Sequence, residues 1–340
     1  MKIMKLVLIN LSIFFILLLS IEGATRLYLY LARHNVETTY EGWNRFVAPP
    51  NNLGFTPGAA LKSKKSYGDE VIYDVTYNID EAGLRRTIDP NPEGKNRHLL
   101  LFGDSYEFGE GLEDHQTLAS AIASQSEFRV YNFGNVGTAI NYALLKLSYL
   151  NNIKLKPEQG FTFYFYRDFQ LQRVISSIMS TSERRAHLPA YILENGVLKY
   201  KGTWMEYRPL LTKMFSCCLK KSKFLQLIKF DWPRPDEQTV ELNLSLIKEF
   251  HQNLMLKFPA TQFVLVIPSN SYYKNKFMDY MQRENINVLI LDMLKWNKQG
   301  IHPRDAHPNH EDNQRLAEIL LQELKGFDNL GPKVPTSKSR

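Results

Sequence analysis

The sequence predicts an α/β domain built on a parallel sheet with helices on both faces, preceded by one membrane-spanning helix. Three observations predict it. From Arg97 onward, short apolar strands alternate with helical segments, the pattern of strand–helix–strand units. The run Phe161 to Tyr166 is aromatic at every position but Thr162, as a strand buried on both faces requires. Leu6 to Ile21 is apolar apart from Asn10, Ser12 and Ser20.

The N-terminal run follows a short basic lead, Met1 to Lys5, and charge returns at Glu22 and Arg26. Its length is near the lower limit of a spanning helix and long for a signal-peptide core. Ala24 is a poor cleavage point because Glu22 precedes it where a small residue is needed. We therefore expect an uncleaved signal anchor over 1–26, with the basic lead on the cytoplasmic side. Tyr28 and Tyr30 then fall at the far interface, where aromatic rings are favoured.

The chain has 340 residues, 44% hydrophobic and 12% aromatic, enough for one large domain or two small ones with a sizeable core. Its net charge of +7, from 42 Lys+Arg against 35 Asp+Glu, suits an anionic membrane surface or an acidic glycan as well as nucleic acid. No arginine-rich arm, zinc-ligand spacing or RNP-like aromatic run accompanies that charge, so no nucleic-acid partner is expected. Cys217 and Cys218 are adjacent, where a bridge would be strained, so cysteine usage does not fix the compartment.

Residues 27–95 read as an extended juxtamembrane preface: polar, rich in Pro, Gly and Tyr, with a strand pair in Glu70 to Asn78 and a turn at Glu81 to Arg85. The main domain spans 96–326. Its strands are expected at His98–Phe102, Phe128–Asn132, Phe161–Tyr166, Gln262–Ile267 and Val288–Leu291. Helices are expected at Thr117–Ser124, Ala139–Tyr149, Val240–Phe258 and Asp312–Leu324. An irregular insertion occupies 170–235, carrying Trp204, Trp232 and the cysteine pair, and is expected to cover part of the cleft. A flexible tail is expected at 327–340.

In parallel sheets, sites form at the carboxyl ends of the strands. Three segments with chemical capacity fall there. Gly103-Asp104-Ser105 follows the first main strand; such a serine can present its hydroxyl above the sheet, although Asp and Ser also serve as plain helix caps. Gly134 and Gly137 follow the second strand, where an amide could face an oxyanion or the glycines could simply make a tight turn. Asp305 and His307 precede the last helix. Two residues apart in an extended loop, they project to one side, so a carboxylate could orient an imidazole base; a surface turn accounts for them equally well.

In this order, with the longer run Leu101-Phe-Gly-Asp-Ser-Tyr-Glu-Phe-Gly-Glu-Gly111, the three blocks resemble the SGNH/GDSL hydrolases from Arg97 to Leu324. Asn78 to Arg85 resembles the Asn…Gly-Leu-Arg stretch that precedes the domain in bacterial, membrane-anchored members. The resemblance implies a flavodoxin-like three-layer sandwich, an extracytoplasmic domain on a single inner-membrane span facing the periplasm or cell exterior, and no metal or cofactor. It implies that Ser105 is the nucleophile, His307 the general base and then acid, and Asp305 its orienting carboxylate, with the amides of Ser105 and Gly134 as oxyanion donors. Several relatives remove or transfer acyl groups on cell-surface polysaccharides. The expected function is thus an acyl-ester hydrolase or O-acyltransferase, acetyl above all, on an envelope or exported carbohydrate.

Two positions depart from the family pattern. Arg167 stands where the family's third oxyanion donor, an asparagine, is usual; it could donate to an oxyanion, bind a substrate anion, or pair with Asp168. Asp305 and His307 are separated by one residue instead of two. Arg167 keeps open a catalytically impaired domain that binds glycan or scaffolds an envelope complex. Proximity to the bilayer keeps open a lipid-directed esterase or thioesterase.

Overall fold

The computed structural model describes residues 2–32, 38–42, 55–150, 155, 159–178, 187–292 and 299–327, so the expected tail lies, but for its first residue, outside the described residues. Helix α1 (Lys2–Leu31) is apolar on all sides, and its large side chains are exposed. Its hydroxyls at Ser12, Ser20 and Thr25 bond back to carbonyls four residues earlier at 2.8–2.9 Å, which hides their polarity. Among the described helices it is the one long and apolar enough to cross a membrane.

The preface is a three-stranded antiparallel sheet in the order β1 (Thr38–Gly42), β2 (Ala60–Tyr67), β3 (Glu70–Asn78). The expected strand pair within Glu70–Asn78 is one continuous strand; its partner is the lysine-rich segment Ala60–Tyr67, whose charged sequence carries no strand signal. Asp80 accepts from the amides of Ala82 and Leu84, both at 2.9 Å, closing the turn that delivers Arg85. Arg85 is buried, pairs with Asp114 and donates to the Leu112 carbonyl at 2.9 Å. The Asn78 amide joins Asp114 at 2.8 Å, so the Asn…Gly-Leu-Arg stretch fastens the preface to the main domain.

The main sheet contains β4 (Arg97–Phe102), β5 (Phe128–Asn132), β6 (Gly160–Phe165), β9 (Thr261–Pro268) and β10 (Asn287–Leu291). All pairings are parallel, in the spatial order β5-β4-β6-β9-β10. Numbered within the domain this is 2-1-3-4-5, a doubly wound order whose switch point lies between its first and third strands. Helices α4 (Ile140–Tyr149) and α9 (Glu237–Lys257) cover one face, with Leu144, Leu147, Val240 and Phe250 against Phe102, Tyr164 and Leu265. Helices α3 (Leu118–Gln125) and α11 (His310–Phe327) cover the other, with Ile122, Leu316 and Leu320 against Leu99, Leu101 and Val264. Alternating strand residues feed both cores, which is why these strands read as continuous apolar runs.

The insertion is more regular than expected. Its hairpin, β7 (Pro189–Glu194) and β8 (Val197–Thr203), turns through Asn195 and Gly196 at φ of 53° and 75°, as a two-residue hairpin loop favours. The hairpin packs on α4 and α9, while the start of the insertion reaches the serine turn, where Gln170 and Arg173 donate to Asp104 at 3.2 and 2.9 Å, and the preface reaches the histidine loop and Glu110 through Lys65 and Tyr73.

Candidate active site

Strand β4 ends at Phe102, and the chain turns through Gly103 and Asp104 into the short helix α2 (Ser105–Phe108). Asp104 is its N-cap, accepting from the Tyr106 amide at 3.1 Å, while Glu107 accepts from the Asp104 amide at 3.0 Å. The capping that the sequence leaves as an alternative for this turn thus falls to Asp104. Ser105 turns its hydroxyl the other way, to 2.8 Å from His307 Nε2. His307 Nδ1 lies 2.5 Å from Asp305 Oδ1, and the His307 amide donates to the same oxygen at 3.1 Å. The structure brings Ser105, His307 and Asp305 together as one chain of hydrogen bonds at the sheet's switch point.

Two local bonds hold the histidine loop. Ile301 N–H donates to the His307 carbonyl at 2.8 Å, and Asp305 N–H to the His302 carbonyl at 2.8 Å. Gly300, at φ of 67°, donates to Asp312 at 3.0 Å, tying the loop to the first turn of α11.

The preface completes the site. Lys65 on β2 donates to Asp305 Oδ2 at 2.7 Å. Opposite it in the ladder, Tyr73 donates to Glu110 Oε1 at 3.2 Å, and the other oxygen of Glu110 lies 3.5 Å from His307 Nε2. Further out, Arg304 stacks on the Tyr67 ring at 4.0 Å and His302 meets Glu70 at 3.1 Å. No motif in the sequence marks Lys65, Tyr73 or Glu110 as a site residue. The signal available for Glu110 was its place in the serine block; Lys65 had none, because its strand reads as a charged run.

Burial opposes charge on His307, yet the bond to Asp305 and the negative charge of Glu110 outweigh it and raise its pKa above the ordinary value. Burial likewise opposes the Asp305 carboxylate, but His307 and Lys65 hold it well below the usual carboxylate range. Lys65 itself is desolvated, and Asp305 raises it overall. The cluster is therefore poised to accept a proton at His307 while Asp305 stays ionised.

Arg167 lies just past β6, buried beneath the serine turn. It grips Glu107 with two nitrogens, at 2.9 and 3.1 Å, and reaches Asp104 at 3.3 Å. Asp104 also receives Arg173 at 2.9 Å and Gln170 at 3.2 Å. The Arg167 guanidinium stacks on the Tyr106 ring at 4.1 Å, and that ring is 5.0 Å from the His307 ring. Of the three roles left open for Arg167, the oxyanion and substrate-anion ones give way to a grip on two carboxylates behind Tyr106. Nor does it pair with Asp168, which accepts from Ser271 and the Tyr272 amide at 2.6 and 2.8 Å. Two buried acids attract the guanidinium more strongly than one acid at the protein surface.

Gly134 is also placed differently from expectation. Its amide donates to Asn132 Oδ1 at 3.0 Å, while the Asn132 side-chain amide donates to the Glu107 carbonyl at 2.8 Å. A Cβ at Gly134 would meet Phe108 N at 2.3 Å. This glycine lets β5 press against α2. Gly137, at φ of 75°, makes the turn before α4. Of the expected oxyanion donors, Ser105 N–H is the one whose position at the first turn of α2 leaves it without an intrahelical acceptor. Among the described residues no group of His, Cys, Asp and Glu is arranged to hold a metal ion.

No protein-family model matches the chain, and no curated protein matches it. Among solved structures, an acetyl xylan esterase from the rumen bacterium Butyrivibrio proteoclasticus aligns over 72% of this chain and 66% of its own, at 13% identity and a TM-score of 0.38. A carbohydrate esterase whose active site displays divergent catalytic and non-catalytic binding functions aligns over 68% and 65%, at 13% identity and the same TM-score. A carbohydrate esterase family 2 enzyme with a carbohydrate-binding domain, from Corynascus thermopiles (Myceliophthora fergusii), aligns over 74% and 71%, at 11% identity and 0.35. The chain spans just under two thirds of the length of the first two.

Proposed function

We propose that this protein is a serine acyl-ester hydrolase or O-acyltransferase of the SGNH/GDSL type, held by α1 in a bacterial inner membrane with its site outside. The observation that carries the reading is the hydrogen-bond chain Ser105–His307–Asp305, at 2.8 and 2.5 Å. Nucleophile, base and orienting carboxylate in that order are what acyl transfer to a serine requires.

In the first step Ser105 Oγ attacks the acyl carbonyl and His307 Nε2 takes its proton. Asp305 stabilises the resulting imidazolium, and the Ser105 amide donates to the oxyanion. His307 then gives the proton to the departing sugar oxygen, leaving an acyl-enzyme. Water or a second sugar hydroxyl, deprotonated by His307, resolves it; the first outcome is hydrolysis and the second transfer. The carbohydrate substrate and envelope setting rest on the family resemblance of the serine, glycine and Asp-x-His blocks.

The test is turnover of a small activated acetyl ester by the detergent-solubilised chain, with and without a sugar acceptor. Acetate release that Ser105→Ala abolishes supports the reading, and acetylated acceptor selects transfer. A second reading, a glycan-binding domain without turnover, is favoured by the commitment of the Gly134 amide and Arg167 to other partners. A folded chain that binds glycan but neither turns over nor acquires an acyl group selects it.

A further inference from the structure

We propose that helices α7 (Leu210–Lys221) and α8 (Lys223–Leu227) form a second membrane contact, lying in the headgroup region of the bilayer that α1 spans. This rests on the reading of α1 as a membrane span.

The outer end of that span fixes the depth. Leu6 to Ile21, between the charges of Lys5 and Glu22, covers about 24 Å at about 1.5 Å per residue, the short end of what crosses ~30 Å of bilayer hydrocarbon, so Glu22 falls at the outer interface. Glu22 is also where the insertion attaches. Its carboxylate accepts from Ser222 Oγ at 2.7 Å and from the amides of Lys223 and Phe224 at 2.9 and 3.2 Å. Arg26, one turn further, donates to the Lys221 carbonyl at 3.1 Å. The junction of α7 and α8 therefore sits at the level of the lipid headgroups.

The surface that these helices leave open suits that level. Leu210, Leu211 and Met214 are 69%, 81% and 59% exposed, and Cys218 is exposed too. Spaced at i, i+1, i+4 and i+8, they form one stripe along α7. Thr212, Ser216 and Leu219 on the opposite side are half-buried. Leu227 and Ile228 extend the apolar surface at the end of α8, each about half exposed. Lys213, Lys220, Lys221 and Lys223 lie along the same two helices. An apolar stripe with lysines around it matches acyl-chain boundaries beneath anionic phosphates. Two attachments would fix the domain's orientation over the membrane, where a single helix would leave it free to swing.

The test uses the full chain, with Cys217 and Cys218 replaced by serine, in vesicles of phosphatidylcholine and phosphatidylglycerol. An environment-sensitive fluorophore is attached at Leu211→Cys or at Ile16→Cys, and nitroxide-bearing phospholipids serve as quenchers. The expected result is blue-shifted emission and lipid-dependent quenching at both positions, deeper at 16 than at 211. Quenching at 16 with water-like, iodide-accessible emission at 211 would overturn the contact while leaving the span intact. Water-like emission at 16 would overturn the span and the contact with it.

Discussion

Lys65 and Asp305, 240 residues apart, form an ion pair at 2.7 Å that joins the three-stranded sheet β1–β3 to the histidine loop. Asp305 thus divides its oxygens, Oδ1 to His307 and Oδ2 to Lys65. The preface is therefore part of the site's construction.

Replacing Lys65 by methionine keeps most of its apolar stem and removes the charge. Asp305 then loses a partner that fixes its rotamer. A loss of about 1.4 kcal/mol in positioning corresponds to about tenfold in kcat/KM. With a cation gone from beside the pair, His307 holds its proton more tightly, so the acidic limb of the pH–rate profile moves to higher pH. An unchanged limb in a folded K65M variant would count against this linkage.

His307 also links stability to pH. Its folded pKa lies above the unfolded value of about 6.5, so the folded state binds the proton more tightly. That contribution is complete below about pH 6.5 and is lost as pH rises through the raised folded value. Denaturant unfolding across that window should show stability falling with pH, and His307→Gln should flatten the slope. Asp305 works in the opposite sense: its depressed pKa gives stability that is present above about pH 3.9 and lost on acidification below it.

How far the sequence carried these features depends on how local they are. The five strands and the covering helices were legible because each carries its own apolar run, and Ser105, Asp305 and His307 because each sits in a short block. Strand β2 was not, since Ala60–Tyr67 is mostly Lys and Ser and gains its burial from docking on another part of the chain. Arg167 was visible as a departure, but its partner Glu107 is 60 residues away and nothing local pairs them. Gly134 was seen as a glycine that an amide site or a tight turn could use; its packing against Phe108 becomes apparent only in three dimensions.

The Arg167–Glu107 pair is buried on both sides, so removing one partner leaves an uncompensated charge. Arg167→Met is expected to destabilise the chain by about 3–5 kcal/mol, measured by denaturant unfolding. Pairing it with Glu107→Gln should recover a large part of that loss, because the orphaned carboxylate is gone. Additive losses in the double variant would refute the coupling.

Gly134→Ala retains the backbone N–H and adds a methyl that meets Phe108 N at 2.3 Å and Glu107 C at 2.6 Å. Overpacking of this kind costs about 1–3 kcal/mol. Because the clash falls on α2, it should displace Ser105 and lower turnover as well as the unfolding midpoint. A variant of unchanged stability and activity would show that β5 and α2 are not in the contact described.

We propose Ser105 as an activated nucleophile. Its most direct test is reaction of the full chain with a fluorophosphonate, followed by intact mass and peptide mapping. One adduct per chain is expected, located on Ser105, absent in Ser105→Ala and slowed in His307→Gln. A folded protein that acquires no adduct, or acquires it equally well with alanine at 105, would show that Ser105 is not the nucleophile.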